Sequence, residues 1–312
     1  MPFRALARRP FVELAPSPET LTMVCGSGRS GTTWVGDVVA AKTRSRVMFE
    51  PFLLSEGGEF QLLTGRRGIL DSRKERPKYL PESIDSNSKE MQDIGQILFA
   101  DHQIPWVDQE LKSGFYPRRL IKGIRSNLFL GAILKTWPQI KILYLIRSPF
   151  DVVKSMLAAE RAGWGFAWRA EDILTEASLV DEWLAPFVPN IARAHSLPEL
   201  LAIRWCIENL VAVSQLRHQS NAMIVAYESL RSTEQWASVG SFLSDRGWRG
   251  APSKESLDRP SATSMASVRE SQLAVELAKD EWAQIRRLIS VFGIDKLLPE
   301  CSDRWLKAFD AQ

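Results

Sequence analysis

The stretch that decides the fold is LTMVCGSGRSGTTW, residues 21–34. Its first five residues form an apolar, β-rich run that predicts a short buried strand, and residues 32–41 predict a helix. Three glycines between the two segments allow a tight turn, which points freed backbone N–H groups and the helix N-terminus at one place. The stretch therefore predicts a cradle for a phosphate-like anion.

This cradle differs from a Walker A motif at one position. Gly26, Gly31 and the two hydroxyl residues after Gly31 have the Walker A spacing, but Thr32 stands where that motif requires lysine. The lysine normally reaches the β- and γ-phosphates of a triphosphate. Arg29 is the only cation within the loop, so the pattern favours an anion shorter than a triphosphate.

A second anion site is predicted further along the chain. Residues 141–146, KILYLI, predict another buried strand, and Arg147 follows at its carboxyl end. The next four residues, SPFD, suit a helix start, with Ser as the N-cap, Pro at the first position and Asp at the third. Ser155 lies about two helical turns beyond Arg147, so both side chains can reach one anion.

Together these two motifs resemble those of sulfotransferases that use 3′-phosphoadenosine 5′-phosphosulfate (PAPS) and release 3′-phosphoadenosine 5′-phosphate (PAP). In that family the glycine-rich loop binds the 5′-phosphosulfate, and an R-x-x-x-D-x-x-x-S motif binds the 3′-phosphate. The resemblance assigns the 3′-phosphate to Arg147 and Ser155. It assigns the 5′-phosphosulfate to the loop residues Gly28, Arg29, Ser30, Gly31, Thr32, Thr33 and Trp34.

Further segments extend the resemblance over most of residues 20–265. The segments around Glu50 and Lys122 are similar to those of carbohydrate and tyrosyl-protein sulfotransferases, in which the Glu is the proposed base and the Lys lies near the sulfuryl group. The resemblance implies catalytic roles for Glu50, Lys122 and Arg29. It also implies that Tyr227 contacts the adenine, and that Arg259 and Ser261 belong to a loop that closes over the nucleotide.

The acceptor side of the site leaves alternatives open. Glu50 is the best candidate base, although it could instead form only an ion pair with Arg29 or Lys122. Ile124 takes the position of the catalytic His of the animal cytosolic enzymes, whose R-K-G-x-x-G-x-W-K motif is also missing, so a histidine mechanism is not favoured. His102 is the second candidate base. The other two histidines, at 195 and 218, are expected at structural or surface positions.

Strand and helix patterns alternate along the chain, which predicts an α/β fold of the P-loop-like, three-layer type, with a central parallel sheet flanked by helices. Ligands of such sheets bind at the carboxyl ends of the strands. The chain is expected to be a single domain over 1–312, with a core at about 20–265 and a helical cap at about 271–312. The predicted strands are Leu21–Cys25, Arg46–Phe49, Leu120–Ile124, Ile140–Ile146 and Ala222–Ala226, and the predicted helices are Thr32–Lys42, Asn127–Trp137, Pro149–Ala159, Pro198–Gln219 and Ser271–Phe292.

Two insertions interrupt the alternation. Residues 55–88 are rich in Gly, Pro, Ser and charge and predict a long loop. Residues 163–190 carry aromatic side chains that could pack in the core or line an acceptor pocket for a sugar ring, an aryl group or a lipid-linked molecule. These aromatic residues are Trp164, Phe166, Trp168, Trp183 and Phe187.

Composition narrows the setting. The formal net charge of +3 is too small for a global basic field, so nucleic acid is not an expected partner. Three cysteines without C-x-x-C spacing predict buried free thiols and a reducing compartment. With neither a signal peptide nor a membrane-length apolar run, the sequence predicts a soluble, cytoplasmic enzyme of bacterial type. The three histidines lack metal-ligand spacing and no Walker B aspartate is evident, so no metal is expected.

The function expected from these features is transfer of the sulfuryl group of PAPS to a hydroxyl or amine of a small-molecule or glycan acceptor, such as a saccharide, a glycolipid or a small metabolite. The alternatives are a P-loop small-molecule kinase and a nucleotide-binding protein without sulfuryl transfer. The oligomeric state is not predicted.

Overall fold

A five-stranded parallel sheet forms the centre of the fold in a computed structural model that describes residues 11–52, 78–99, 107–109, 111–163, 165–258 and 276–310. The strands are β1 (Phe11–Glu13), β2 (Leu21–Gly26), β3 (Ser45–Phe49), β4 (Gly114–Tyr116), β5 (Arg118–Gly123), β6 (Lys141–Ile146) and β7 (Ala222–Ala226). The sheet has the order β3-β5-β2-β6-β7, while β1 and β4 form a separate parallel pair. The predicted α/β class with a central parallel sheet is confirmed, and each of the five predicted strands is present.

Helices cover both faces of this sheet. They are α1 (Thr32–Thr43), α2 (Lys89–Phe99), α3 (Leu130–Thr136), α4 (Pro149–Arg161), α5 (Ala170–Leu174), α6 (Ala177–Leu179), α7 (Val188–Ala192), α8 (Leu197–Leu216), α9 (Thr233–Phe242), α10 (Lys254–Asp258), α11 (Lys279–Val291), α12 (Ile294–Leu297) and α13 (Pro299–Asp310). Short 3₁₀ turns lie at Pro18–Thr20, Ala185–Phe187, Tyr227–Arg231 and Ser244–Arg246, and a π turn at Val180–Leu184. No helix among these described residues has the length and apolar character needed to span a bilayer.

Alternation along the strands divides the core into two layers. Val24 of β2 faces a cluster built mainly from α1 and α9, whereas its neighbours Met23 and Cys25 face the larger cluster under α3, α4 and α8. Every residue of β2 is buried, as expected for the central strand of a sheet that is covered on both sides. Both faces of β2 are therefore occupied by core packing, so the end of the strand is the part that can face a ligand.

Several helix boundaries differ from the prediction. The predicted helix Asn127–Trp137 starts only at Leu130, because residues 126–129 form a turn closed by the Phe129 N–H and the Ser126 carbonyl. Helix α8 ends at Leu216 rather than at 219. Helix α2 was not predicted, although its buried apolar positions recur at helical spacing.

The first described helix of the predicted cap packs on other helices. Residues 271–275 are outside the described residues, and the described helix begins at Lys279. It packs mainly against α8 and α4 rather than on the sheet itself. Next to it, the Phe292 ring stacks on Phe187 with centroids 4.4 Å apart. The division of one domain into core and cap stays a prediction.

Four buried charged side chains join the small β1–β4 pair to the amino-terminal edge of the central sheet. Arg46 binds both oxygens of Asp108 at 2.9 Å and contacts Glu13 at 2.6 Å. Glu13 also accepts two hydrogen bonds from Arg119, at 2.9 and 2.7 Å. Two cations and two carboxylates are thus matched where water is excluded, which such burial requires.

This network predicts an unequal cost for two carboxylate-to-amide changes. Glu13→Gln should destabilise the fold by about 3–5 kcal/mol, because it leaves two buried guanidinium groups facing a neutral amide. The matched control is Asp245→Asn, which breaks the exposed pair with Lys141 and should cost no more than about 1 kcal/mol. Urea denaturation of both variants measures the difference, and equal midpoints would contradict the role assigned to the network.

Candidate active site

The carboxyl edge of the sheet gathers the charged residues predicted from the sequence. Strand β2 lies between β5 and β6, so the segments that follow these three strands meet at one edge. Pairing of Phe49 with Lys122 brings the end of β3 to the same level. Arg147 and Tyr227 follow β6 and β7 directly.

The glycine-rich loop is shaped by close contacts at two glycines. Gly26 has φ +153°, and a Cβ there would collide with the carbonyl oxygen of Leu145 on the neighbouring strand. Gly31 has φ +92°, and a Cβ there would collide with the ring of Tyr227. Larger residues are excluded at both positions by backbone conformation and by space. Between them Arg29 adopts a left-handed φ of +67°, which is uncommon for a residue with a side chain.

Buried polar side chains hold the start of this loop. Asn127 donates from Nδ2 to the carbonyls of Gly26 (3.1 Å) and Ile124 (3.0 Å), and so ties the ends of β2 and β5 together. Asn209 of α8 donates to Oγ of Ser27 at 3.0 Å and accepts from the Tyr144 hydroxyl at 3.1 Å. Neither asparagine was predicted from the sequence as a site residue. A polar residue such as Asn209 within the apolar pattern of α8 was the available signal.

Two guanidinium groups converge beside the loop. Arg29 donates from Nε to Ser155 Oγ at 2.9 Å, and Arg147 donates from Nη1 to the Arg29 carbonyl at 3.2 Å. Burial, together with the nearby charge of Arg147, lowers the pKa of Arg29. Ser155 was predicted to act with Arg147, and the structure joins it to Arg29, so the two predicted anion sites are adjacent.

Two hydrogen-bond donors beside the glycine-rich loop have no acceptor in the part of the chain that the structure describes. Among the described residues, the buried atoms Ser30 Oγ and Arg147 Nε have no hydrogen-bond partner. Buried polar atoms are usually paired in folded proteins, and a ligand bound beside the loop could supply an acceptor for both donors. Asp151 lies 3.7 Å from Arg147 Nη2 and is largely exposed, which makes it a weak partner. The arrangement therefore fits an anion that accepts from both donors.

Aromatic rings border the same region. The Arg147 guanidinium lies 4.7 Å from the centroid of the Tyr227 ring. Tyr227 in turn makes an edge contact with Trp34 at 5.7 Å, and Trp34 makes another with Trp236 at 5.8 Å. The Tyr227 ring is thus fixed between the glycine-rich loop and Arg147, which is a suitable position for packing against a flat ring.

Glu50 and Lys122 form a buried ion pair at the other end of the edge. Lys122 Nζ lies 2.5 Å from Glu50 Oε1 and 4.3 Å from the centroid of the Phe49 ring. Glu50 Oε2 accepts from the Ile124 N–H at 3.1 Å and contacts Arg125 at 3.4 Å. The ion pair with Lys122 that the sequence left open is present.

The backbone at Glu50 is unusual as well. Its φ of +44° is left-handed, and its N–H still donates to the Lys122 carbonyl at 2.8 Å. A left-handed conformation in a residue with a Cβ costs free energy, and such residues occur at turns and helix ends and also cluster at active sites. The carboxylate is consequently turned back over β5 and towards Lys122.

The sulfotransferase family model matches residues 22–213, which is more than half of the chain. The chain belongs to the sulfotransferase family. The match runs from β2 into α8 and includes both predicted anion motifs, Glu50 and Lys122. The resemblance inferred from the sequence is confirmed at the level of the family.

The chain also aligns with solved structures of sulfotransferases. A sulfotransferase domain from the curacin biosynthetic pathway is 14% identical, with 91% of this chain and 98% of that chain covered and a TM-score of 0.41. The corresponding domain of the Synechococcus PCC 7002 olefin synthase is 13% identical, with 94% and 98% covered and a TM-score of 0.43. A mouse sulfotransferase complexed with PAP is 13% identical, with 85% and 69% covered and a TM-score of 0.36. No curated protein sequence matches the chain significantly.

Some predicted site residues lie outside the described part of the sulfotransferase chain. Arg259, Ser261, His102 and Trp164 belong to this group, so their assignments stay predictions. The other two histidines, at 195 and 218, are exposed, in agreement with a surface position.

The aromatic insertion is largely part of the core. Phe166 and Trp168 are both 5% exposed and belong to the main apolar cluster, while Trp183 and Phe187 pack against it. Phe166 has a second contact that the sequence did not reveal, because its ring lies against Gly28. These contacts favour the alternative in which the aromatic residues pack in the core, and the Phe166 ring also reaches the glycine-rich loop.

The cysteines do not supply a nucleophile to this edge. Cys25 and Cys206 are buried, and all three cysteines are free. Burial raises the pKa of the Cys25 thiol to about 12, which leaves it protonated and unreactive. Within the described part of the chain, no cluster of His, Cys, Asp and Glu could hold a metal ion.

Proposed function

We propose that this sulfotransferase moves the sulfuryl group of PAPS to a hydroxyl or amine of an acceptor, which is a saccharide, a glycolipid or a small metabolite. The observation that carries the choice of PAPS is the pair of orphaned buried donors, Ser30 Oγ and Arg147 Nε, beside the half-buried Arg29. A nucleotide with anionic groups at both its 5′ and 3′ positions would accept hydrogen bonds from both donors.

The cofactor assignment follows from the contacts of the edge. The N–H groups of residues 28–33 and the first turn of α1 would hold the 5′-phosphosulfate. Arg147 and Ser155 would hold the 3′-phosphate, and Tyr227 with Trp34 would pack against the adenine. The same loop lacks the lysine that a nucleoside triphosphate needs, which argues against the kinase alternative.

Sulfuryl transfer requires the protein to stabilise a growing negative charge and to accept a proton. The bond from sulfur to the phosphate oxygen breaks while a bond from sulfur to the acceptor oxygen forms, so negative charge grows on the leaving oxygen. We assign the stabilisation of that charge to the cations Lys122 and Arg29. The acceptor proton must pass to a base, and we assign that role to the Glu50 carboxylate.

The contacts of Glu50 are compatible with this role. A carboxylate oxygen has two lone pairs, and Oε1 accepts one hydrogen bond, from Lys122. The other lone pair of Oε1 can accept a hydrogen bond from the hydroxyl group of the acceptor molecule. Movement of Lys122 towards the leaving oxygen would then withdraw a positive charge from Glu50 as the proton arrives, which favours the transfer.

The cytoplasmic location of the protein also stays a prediction.

The first functional prediction concerns nucleotide selectivity. Arg147→Ala should weaken PAP binding by roughly one to two decades, because a charge-assisted contact contributes about 1.5–3 kcal/mol. AMP lacks the 3′-phosphate and should lose much less affinity, because only the bond from Arg147 to the Arg29 carbonyl affects it. Calorimetric titration of both nucleotides measures this. The control is Arg161→Ala at the exposed end of α4, which should alter neither affinity. Equal losses for PAP and AMP in Arg147→Ala would make Arg147 structural.

The second prediction separates catalysis from binding. Glu50→Gln removes the proton acceptor with little change of shape, so turnover should drop about 10²–10⁴-fold while PAP affinity stays within a few-fold. Lys122→Ala should reduce turnover and PAP affinity together, because the cation also contacts the nucleotide. Transfer of labelled sulfate from PAPS to a panel of hydroxyl acceptors provides the assay.

The comparison for this test is His102→Ala, which should do far less than Glu50→Gln. Melting curves of each variant exclude unfolding as the cause of a loss. Normal turnover in Glu50→Gln with an inactive His102→Ala would transfer the base role to the histidine.

The third prediction is that transfer survives chelation. PAPS offers no β,γ-bridged phosphates for magnesium, and the proposed chemistry uses side-chain cations. The initial rate in EDTA should therefore be nearly that of the untreated enzyme. Complete inhibition that magnesium reverses would support a kinase-like reaction.

A further inference from the structure

Gly28 differs from the other two glycines of the loop. Gly26 and Gly31 have positive φ values, whereas Gly28 has an ordinary backbone conformation. A Cβ at Gly28 would lie 2.7 Å from Cε1 of the Phe166 ring and 3.4 Å from Cδ1 of Ile124. Glycine is therefore required at 28 by the space that the Phe166 ring occupies, and the ring touches the loop backbone.

Phe166 is held firmly, although residues 165–169 form neither helix nor strand. Its N–H and that of Ala167 both donate to Oε1 of Glu160, near the end of α4. Its carbonyl accepts from Nη1 of Arg204, on α8, at 2.5 Å. Both backbone polar groups of Phe166 are thus bound by charged side chains from helices on either side of it in sequence.

Arg204 is itself fixed in place. It is 1% exposed, is paired with Glu208 at 3.0 Å and lies 4.7 Å from the centroid of the Trp168 ring. Buried ion pairs add little net stability, and their best-attested role is to fix one arrangement among alternatives. Here the arrangement that is fixed is the position of the Phe166 ring against the loop.

The loop has anchors on each side of Gly28. Asn209 binds Ser27, and Arg147 binds the carbonyl of Arg29. At Gly28, which has no side chain, Phe166 is the group that limits where the backbone can lie. The N–H groups after it are those assigned to the 5′-phosphosulfate.

We propose that Phe166 is a positioning residue for nucleotide binding: its ring, fixed by Arg204 and Glu160, sets the place of the loop backbone at Gly28. The inference rests on the proposed function, because PAP is the ligand that reports the loop position. Misplacement of binding groups by a fraction of an ångström is enough to weaken a site of this kind.

The test is a double-mutant cycle with PAP titration. Gly28→Ala should weaken PAP binding about tenfold or more, because the new methyl group meets the ring and displaces the loop. Phe166→Ala should weaken it by about five- to twentyfold, and Phe166→Leu by no more than about threefold, since Leu retains apolar bulk. In the Phe166→Ala background, adding Gly28→Ala should cost less than about threefold, because the obstructing ring is absent.

Phe187→Ala is the matched control, since it removes a phenyl ring that stacks on Phe292 away from the loop. It should lower the melting temperature and leave PAP affinity within about twofold. If the role of Phe166 is merely structural, Phe166→Ala should likewise lower the melting temperature and leave PAP affinity within about twofold. That result would overturn the inference. Additive losses in the Gly28–Phe166 cycle would also overturn it.

Failure of the proposed function would look different. Wild-type protein that does not bind PAP would overturn that function. Melting temperatures of the same four proteins would still report whether the two side chains compete for space. Non-additive melting shifts with normal PAP binding in Phe166→Ala would leave the proposed function intact and overturn the positioning role alone.

Discussion

The register of β2 between its two neighbours is the constraint on which the site depends. Gly26 pairs with Leu145 at the last step of the β2–β6 ladder, and Cys25 pairs with Gly123 on the other side. The approach at Gly26 is so close that a Cβ would meet the carbonyl of Leu145. The chain consequently leaves the sheet at the level of Arg147, and the glycine-rich loop and the second anion motif meet without any long connection.

The two edges of the sheet differ in the arrangement of their charged side chains. At the amino edge, Arg46 and Arg119 are matched by Glu13 and Asp108, so the burial of charge is compensated within the protein. At the carboxyl edge, the buried Glu50 contacts Lys122 and Arg125, and the guanidinium groups of Arg29 and Arg147 lie close together beside the glycine-rich loop. Like charges brought together where water is partly excluded favour an anionic ligand. The amino edge thus combines its charges into a structural network, whereas the carboxyl edge suits the anionic ligand proposed above.

Local sequence was sufficient for the strands and for both anion motifs. Buried parallel strands are continuous apolar runs, and the glycine spacing with Arg147 and Ser155 can be recognised within a few residues of each strand. Contacts between distant segments could not be predicted in this way. Gly28 meets Phe166 across more than a hundred residues, and Ser155 turned out to bind Arg29. Ser148 occupies the N-cap position of α4 as predicted, but its side chain makes no capping bond, and its N–H binds Glu228 instead.

The conformation of Glu50 links the strain at this edge to its chemistry. In an extended strand, successive side chains alternate between the two faces, so the residue after Phe49 would normally point to one layer of helices. With φ at +44° the chain instead keeps its ladder bond to the Lys122 carbonyl while the carboxylate turns along the edge. The Lys122 ion pair and the Ile124 N–H then hold the carboxylate in that place. The left-handed backbone at Glu50 thus accompanies the placement of a carboxylate beside a cation at this edge, and the ion pair with Lys122 offsets part of its cost.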